Sequence, residues 1–153
     1  MNYLEKVELF HNTFSAPVLE SPKIPSKDRC NLRISLLQEE LNELKQAIED
    51  ESIEEVADAL ADIQYVLSGA VLEFGLGKKF NQIFEEVQRS NMSKACESQQ
   101  EALATLSHYK QKDGTEGHYE EIGGKYIVYR NGDRKVLKSI GYSPADISSV
   151  LKK

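Results

Sequence analysis

Apolar residues recur at helical intervals through the first half of the chain. Leu4, Val7, Phe10 and Phe14 stand three or four apart, which predicts an amphipathic helix over residues 3–14. Pro17, Pro22 and Pro25 then suit a stiff, extended connector over residues 16–26, because each proline lacks an amide donor and turns the preceding residue away from helix. Residues 29–49 are almost wholly good helix formers, with Leu37, Leu41, Leu44 and Ile48 on one stripe. Asp50 and Glu51 lead to Ser52, an N-cap with Glu55 three residues on. The helix it opens runs to about Phe74, ahead of Gly75 and Gly77, and its stripe is Val56, Leu60, Ile63 and Leu67. So short a connection makes these two long helices antiparallel neighbours. Residues 80–90 predict a fourth helix, and residues 101–109 a further turn or two.

The pattern changes after a polar segment, residues 112–117, that carries two glycines. Residues 119–122, 126–130 and 135–140 are short β-prone runs separated by Gly123-Gly124 and Asn131-Gly132, with the second pair expected to form a type I′ turn. Ser143-Pro144 predicts a last helix running towards Leu151. The fold class is therefore mainly α: an antiparallel helical bundle over residues 1–110 with a small β-hairpin or meander appended over residues 111–153.

On an ideal helix, at about 100° per residue, Glu40 and Glu43 fall just beside the leucine stripe of the second helix, on a flank shared with Leu36 and Ala47. On the third helix Glu55, Asp58 and Asp62 fall within an arc of about 60°, bordered by Val66 on one side and by Tyr65 and Leu72 on the other. Carboxylates so bordered are partly enclosed, and like charges held close raise one another's pKa. A divalent cation relieves both costs. Mg²⁺ is a hard ion that takes oxygen ligands, which suits several acids with no histidine near them, and Mn²⁺ is the alternative. Glu39, Glu49, Glu51 and Glu54 read as solvated helix-surface acids, and Glu55 also serves as a capping partner of Ser52. A carboxylate-bridged di-iron bundle would need an E-x-x-H pattern on two helices, but His11, His108 and His118 all lie outside the acidic pair.

Charge and cysteine content narrow the setting. The chain has 153 residues, enough for one compact domain and a short appendage, and 19 Lys+Arg against 25 Asp+Glu give a net charge of -6. That balance disfavours attraction to a nucleic-acid polymer or an anionic membrane. Cys30 and Cys96 are far apart and suggest neither a disulfide framework nor a zinc site, so a reducing, cytoplasmic location is expected. Glu5, Lys6 and Glu8 break any signal-peptide core, and no apolar run is long enough to span a membrane.

The run Leu36-Leu37-Gln38-Glu39-Glu40-Leu41-Asn42-Glu43-Leu44, followed by Glu55-Val56-Ala57-Asp58, resembles the E-x-x-E and E-x-x-D pair of the MazG-like and all-α dimeric dUTPase superfamily. The resemblance extends through Leu60-Ala61-Asp62-Ile63 and the segment from Phe84 to Lys94. It implies a helical bundle that works as a homodimer or homotetramer, with Mg²⁺ held by Glu40, Glu43, Glu55 and Asp58, and with Asp62 as a further ligand. By the same resemblance Asn91 and Lys94 bind the nucleotide. Arg33 either supports the phosphates or pairs with Glu40. The implied activity is cleavage of a nucleoside or deoxynucleoside triphosphate to the monophosphate and pyrophosphate. Glu39 is the first candidate to orient or deprotonate the attacking water, ahead of Glu43 and Asp62. The rival expectation is a helical bundle that senses nucleotide, or mediates assembly, without turnover. The C-terminal segment holds no catalytic constellation, and an oligomer contact or a lid is what it offers.

Overall fold

The computed structural model describes residues 2–152, which form six helices and one two-stranded antiparallel sheet. They fall into two compact units, residues 1–81 and 82–153. The first holds α1 (Tyr3–Thr13), α2 (Lys27–Glu49) and α3 (Ile53–Glu73), and α4 (Phe80–Met92) begins at its end. The second holds the rest of α4, then α5 (Gln99–Asp113), β1 (Gly117–Ile122), β2 (Lys125–Arg130) and α6 (Ile147–Lys152). No helix among the described residues is long and apolar enough to cross a membrane.

In the first unit α2 and α3 pack as an antiparallel hairpin, with α1 against α3. All three helices end alike. The amides of Ala16, Ser52 and Leu76 reach back to the carbonyls of His11, Ala47 and Val71, with Ser15, Glu51 and Gly75 in the left-handed region at φ 56°, 54° and 68°. This is the Schellman arrangement, which satisfies carbonyls that a helix end leaves without partners. Ser52 accepts from the Glu55 amide and caps α3 as its sequence indicates. The proline connector is tied to the end of α3, where the Leu19 and Lys23 amides donate to Leu72 and Phe74 carbonyls.

The face predicted to form the core is only partly covered. Leu37, Leu44, Val56 and Ile63 are half-buried, but Leu41, Ile48 and Leu60 stay 52%, 60% and 51% exposed. Most of what lies buried along the hairpin is small or polar, namely Ala47, Ala59, Ser68, Gly69, Arg33 and Glu73, with Val71 and Leu72 the larger apolar side chains near the end of α3.

The second unit has a conventional apolar centre of Cys96, Ala102, Val128 and Leu137, covered by Leu106, Tyr109, Tyr119 and Tyr126. Helix α5 is longer than its sequence suggested because Ser98 caps it through the Glu101 amide and Gly114 closes it in the left-handed region. Three expectations are corrected here. The I′-like turn is Gly123-Gly124, at φ 58° and 77° between paired Ile122 and Lys125. The Asn131-Gly132 segment instead makes a wider turn, in which Asp133 Oδ1 accepts from Arg130 Nε and the Lys135 amide. The third strand shrinks to a Tyr129–Val136 bridge. The last helix starts at Ile147 with Asp146 accepting from the Ser149 amide, because Ser143 is engaged by Ser93 and the Pro144 carbonyl by Arg89.

Candidate metal and nucleotide site

Walking away from the Asp50–Ser52 turn brings each position of α2 level with one equally far along α3. Glu40 therefore comes level with Asp62, and Glu43 with Asp58. Electrostatics register this placement. Burial raises the Glu40 carboxyl above its ordinary value, and the charges of Glu43, Asp62, Glu39 and Asp58 raise it further. Glu40 is half-buried, whereas Glu39, Glu43, Glu55, Asp58 and Asp62 are exposed. Enclosure thus reaches one of the acids expected to share it. Glu55 sits nearer the turn. Among the described residues no three His, Cys, Asp or Glu side chains converge tightly enough to chelate an ion. The donor set nevertheless suits a hard divalent cation in its chemistry, being oxygen throughout and anionic.

The other end of the hairpin carries a buried polar cluster that the sequence did not reveal. Glu73, 1% exposed, accepts from Arg29 Nε at 3.1 Å and from the Nη2 atoms of Arg29 and Arg33. Burial pushes its carboxyl up, but the hydrogen bonds and charges of the two arginines outweigh this and hold it below the ordinary carboxylate range. His11, also buried, faces the Pro17 carbonyl through Nδ1 at 2.9 Å and Arg33 Nη2 through Nε2 at 3.4 Å. A carbonyl only accepts and a guanidinium only donates, so Nδ1 carries the proton and Nε2 accepts. Gly69 makes room for this cluster: a Cβ there would lie 2.7 Å from Arg33 Nη1.

Arg33 is therefore paired with Glu73, not with Glu40. Its guanidinium is buried and shares the single charge of Glu73 with Arg29. The signals for the cluster were present but weak. Arg29 and Arg33 share a helix face four residues apart, and Glu73 stands between Leu72 and Phe74 at a helix C-terminus, where the dipole disfavours an anion.

Asn91 and Lys94 lie in the second unit, at the end of α4, where Lys94 Nζ donates to Asn91 Oδ1 at 2.7 Å.

Residues 7–91 match the family model described as phosphoribosyl-ATP pyrophosphohydrolase, and the chain belongs to that family within the MazG-like superfamily. The match takes in every candidate residue except Lys94. The chain is also 33% identical over 82 residues to an uncharacterized protein of Acanthamoeba polyphaga mimivirus, an alignment covering 50% of this chain and 33% of that relative. The alignment thus spans about a third of the relative's length.

Proposed function

We propose that the chain is a Mg²⁺-dependent pyrophosphohydrolase that cleaves a nucleoside or deoxynucleoside triphosphate to the monophosphate and pyrophosphate. Family membership supports action on a nucleotide pyrophosphate bond in general. The observation that carries the reading furthest is Glu40, whose carboxyl is raised by burial and by four neighbouring acids on two packed helices. A carboxyl raised by four neighbouring acids carries a cost that a cation-assisted reaction explains.

Glu40, Glu43, Glu55, Asp58 and Asp62 would hold Mg²⁺, or Mn²⁺, which would neutralise phosphate charge and lower the pKa of a bound water. Glu39, exposed beside Glu40, takes a proton from the water that attacks the α-phosphorus. Glu43 or Asp62 serves in its place if it is not needed as a ligand. The water oxygen bonds to the α-phosphorus as the bridging bond to the β-phosphate breaks, and pyrophosphate leaves with the electron pair. The Asn91 amide and the Lys94 ammonium hold phosphate oxygens. The exposed leucines of the helical hairpin support assembly into a homodimer or homotetramer, and a cytoplasmic location accords with two free cysteines.

The test is a turnover screen of NTPs, dNTPs and phosphoribosyl-ATP with Mg²⁺, with products separated by chromatography. Monophosphate and pyrophosphate from a triphosphate are expected. Release of diphosphate and orthophosphate would refute attack at the α-phosphorus, and turnover confined to phosphoribosyl-ATP would reassign the substrate. No turnover of any substrate, with nucleotide still bound, would favour the sensing bundle.

A further inference from the structure

The family match ends at residue 91, and of the 62 residues beyond it only Lys94 has a part in the reaction described above. One stretch of them folds back onto the end of α4. The Ser139 amide donates to the Lys94 carbonyl at 3.1 Å, and the Tyr142 amide to the Ser139 carbonyl at 2.9 Å. Ser93 Oγ accepts from the Ser143 amide at 2.9 Å, and Ser90 Oγ donates to the Tyr142 hydroxyl at 3.2 Å. Residues 138–143 are thereby fastened beside Ser90, Asn91 and Lys94 by main-chain and side-chain bonds.

The consequence is a concentration of positive charge. Lys138 Nζ stands 4.3 Å from the centroid of the Tyr142 ring, held over its face. The Tyr142 hydroxyl is held below its ordinary value first by the Ser90 hydrogen bond, against the effect of burial, then by the charge and hydrogen bond of Lys138 and, least, by the charge of Lys94. Neither lysine has a carboxylate partner within ion-pair distance among the described residues, a condition shared by Lys112 and Lys135 of the same unit. Nearby Glu86 is engaged by Arg89 and by the Asp146 amide. In a chain of net charge -6, Lys138 on the Tyr142 ring and Lys94 on the Asn91 side chain put two ammonium groups without a carboxylate partner on segments joined by the Ser139–Lys94 main-chain bond, an arrangement suited to an anion.

We infer that Lys138, seated on Tyr142, joins Lys94 and Asn91 as a polyphosphate-binding residue, so that the C-terminal segment completes the nucleotide-binding surface at the end of α4. The inference rests on the proposed pyrophosphohydrolase reading for the identity of the ligand, a nucleoside polyphosphate. Lys138 is a binding residue. Its loss weakens capture of the phosphates and leaves the acid-rich hairpin that performs the chemistry as it was.

The experiment uses the full chain and inorganic tripolyphosphate, titrated calorimetrically in EDTA, alongside nucleotide turnover with Mg²⁺. Lys138→Ala should weaken tripolyphosphate binding about tenfold and raise KM by a similar factor, the size of one charge-assisted contact, with kcat within about twofold. Lys138→Arg should restore most of the affinity. Lys112→Ala is the control for charge alone, since Lys112 sits over the Tyr109 ring at 5.8 Å in another part of the unit. It should change binding less than twofold. An equal melting temperature for all variants shows that the fold is intact. Tripolyphosphate bound as tightly by Lys138→Ala as by wild type, or not bound by wild type at all, overturns the inference. Wild-type turnover with KM indifferent to Lys138 sinks this inference and spares the enzyme. Lys138-dependent binding without turnover of any nucleotide does the reverse.

Discussion

Glu40 and Glu73 are glutamates on one helical hairpin whose carboxyls are displaced in opposite directions. Arg29 and Arg33 more than offset the burial of Glu73, and its folded pKa lies below the unfolded value, so it stabilises the fold fully above about pH 4.5. That contribution is lost as pH falls through the folded value. Glu73→Gln should cost about 3 kcal/mol at neutral pH by leaving two guanidinium groups without their anion, and should flatten the acid limb of a stability–pH profile. Urea melts between pH 3 and 7 measure both, and a wild-type acid limb unchanged in the variant would show that Glu73 contributes nothing. Glu40 has the reverse sign. Its folded pKa is raised, so its contribution is present below the unfolded value and lost as pH rises through the folded one. Glu40→Gln and Asp58→Asn should therefore melt no lower than wild type in EDTA at neutral pH, yet lose about a hundredfold or more of Mg²⁺-dependent turnover. A variant destabilised without metal and still active would remove its residue from the site. That Glu43, Asp58 and Asp62 come near enough to Glu40 to act on its carboxyl accords with the flanks that two helical periods define. The pairing of Arg33 was not legible in the sequence, because its partner is 40 residues away and only the tertiary contact between the start of α2 and the end of α3 brings them together.

At the level of elements, helix existence followed from spacing and helix ends from capping chemistry, with one kind of exception. Gly75 announces its left-handed cap, since glycine takes positive φ without penalty. Ser15 and Glu51 occupy the same position in α1 and α2 without that signature, so the identical motif was hidden. The short third strand and the late start of α6 were hidden for another reason: Ser93, Arg89 and Asp133 claim the backbone groups that local propensity would have used. The contrast between caps yields a prediction. Glu51→Gly should stabilise the chain by about 0.5–1 kcal/mol, as the strain at φ 54° is relieved. Gly75→Ala should destabilise it by more than about 1 kcal/mol, since the new Cβ would fall 1.9 Å from the Ser21 carbonyl oxygen as well as being strained at φ 68°. Thermal melts of the two variants should shift in opposite directions. A drop for Glu51→Gly would mean that its carboxylate, ahead of the α3 N-terminus, outweighs the backbone strain.

For the molecule as a whole, the leucine stripes correctly marked two helices but mistook how much of them one chain covers. The first unit buries apolar side chains no larger than Val7, Ala47, Ala59, Val71 and Leu72, and depends on the Glu73 cluster for much of its interior. The expected division at residue 110 followed a composition change, and Ala102 of α5 shares a buried cluster with Val128 of β2. A groove of about 520 Å³ along α2, lined by Gln38, Leu41, Leu44, Lys45 and Ile48, leaves Leu41 and Ile48 more than half exposed. Covering a leucine or isoleucine side chain fully is worth about 1.5–3 kcal/mol, so a few such residues from each of two copies can offset the entropy lost on pairing. A row of leucines at heptad-like spacing matches the same row on a second copy, because an isologous interface sets like against like. Sedimentation equilibrium should therefore find wild type as a dimer or tetramer, and the double variant Leu41→Glu, Ile48→Glu should be monomeric, since two carboxylates facing their own copies repel. Activity separates assembly from fold: a monomeric variant that melts normally and turns over nucleotide would show that one chain suffices for the chemistry. Wild type that stays monomeric at tens of micromolar would instead require a different partner for the exposed face of α2.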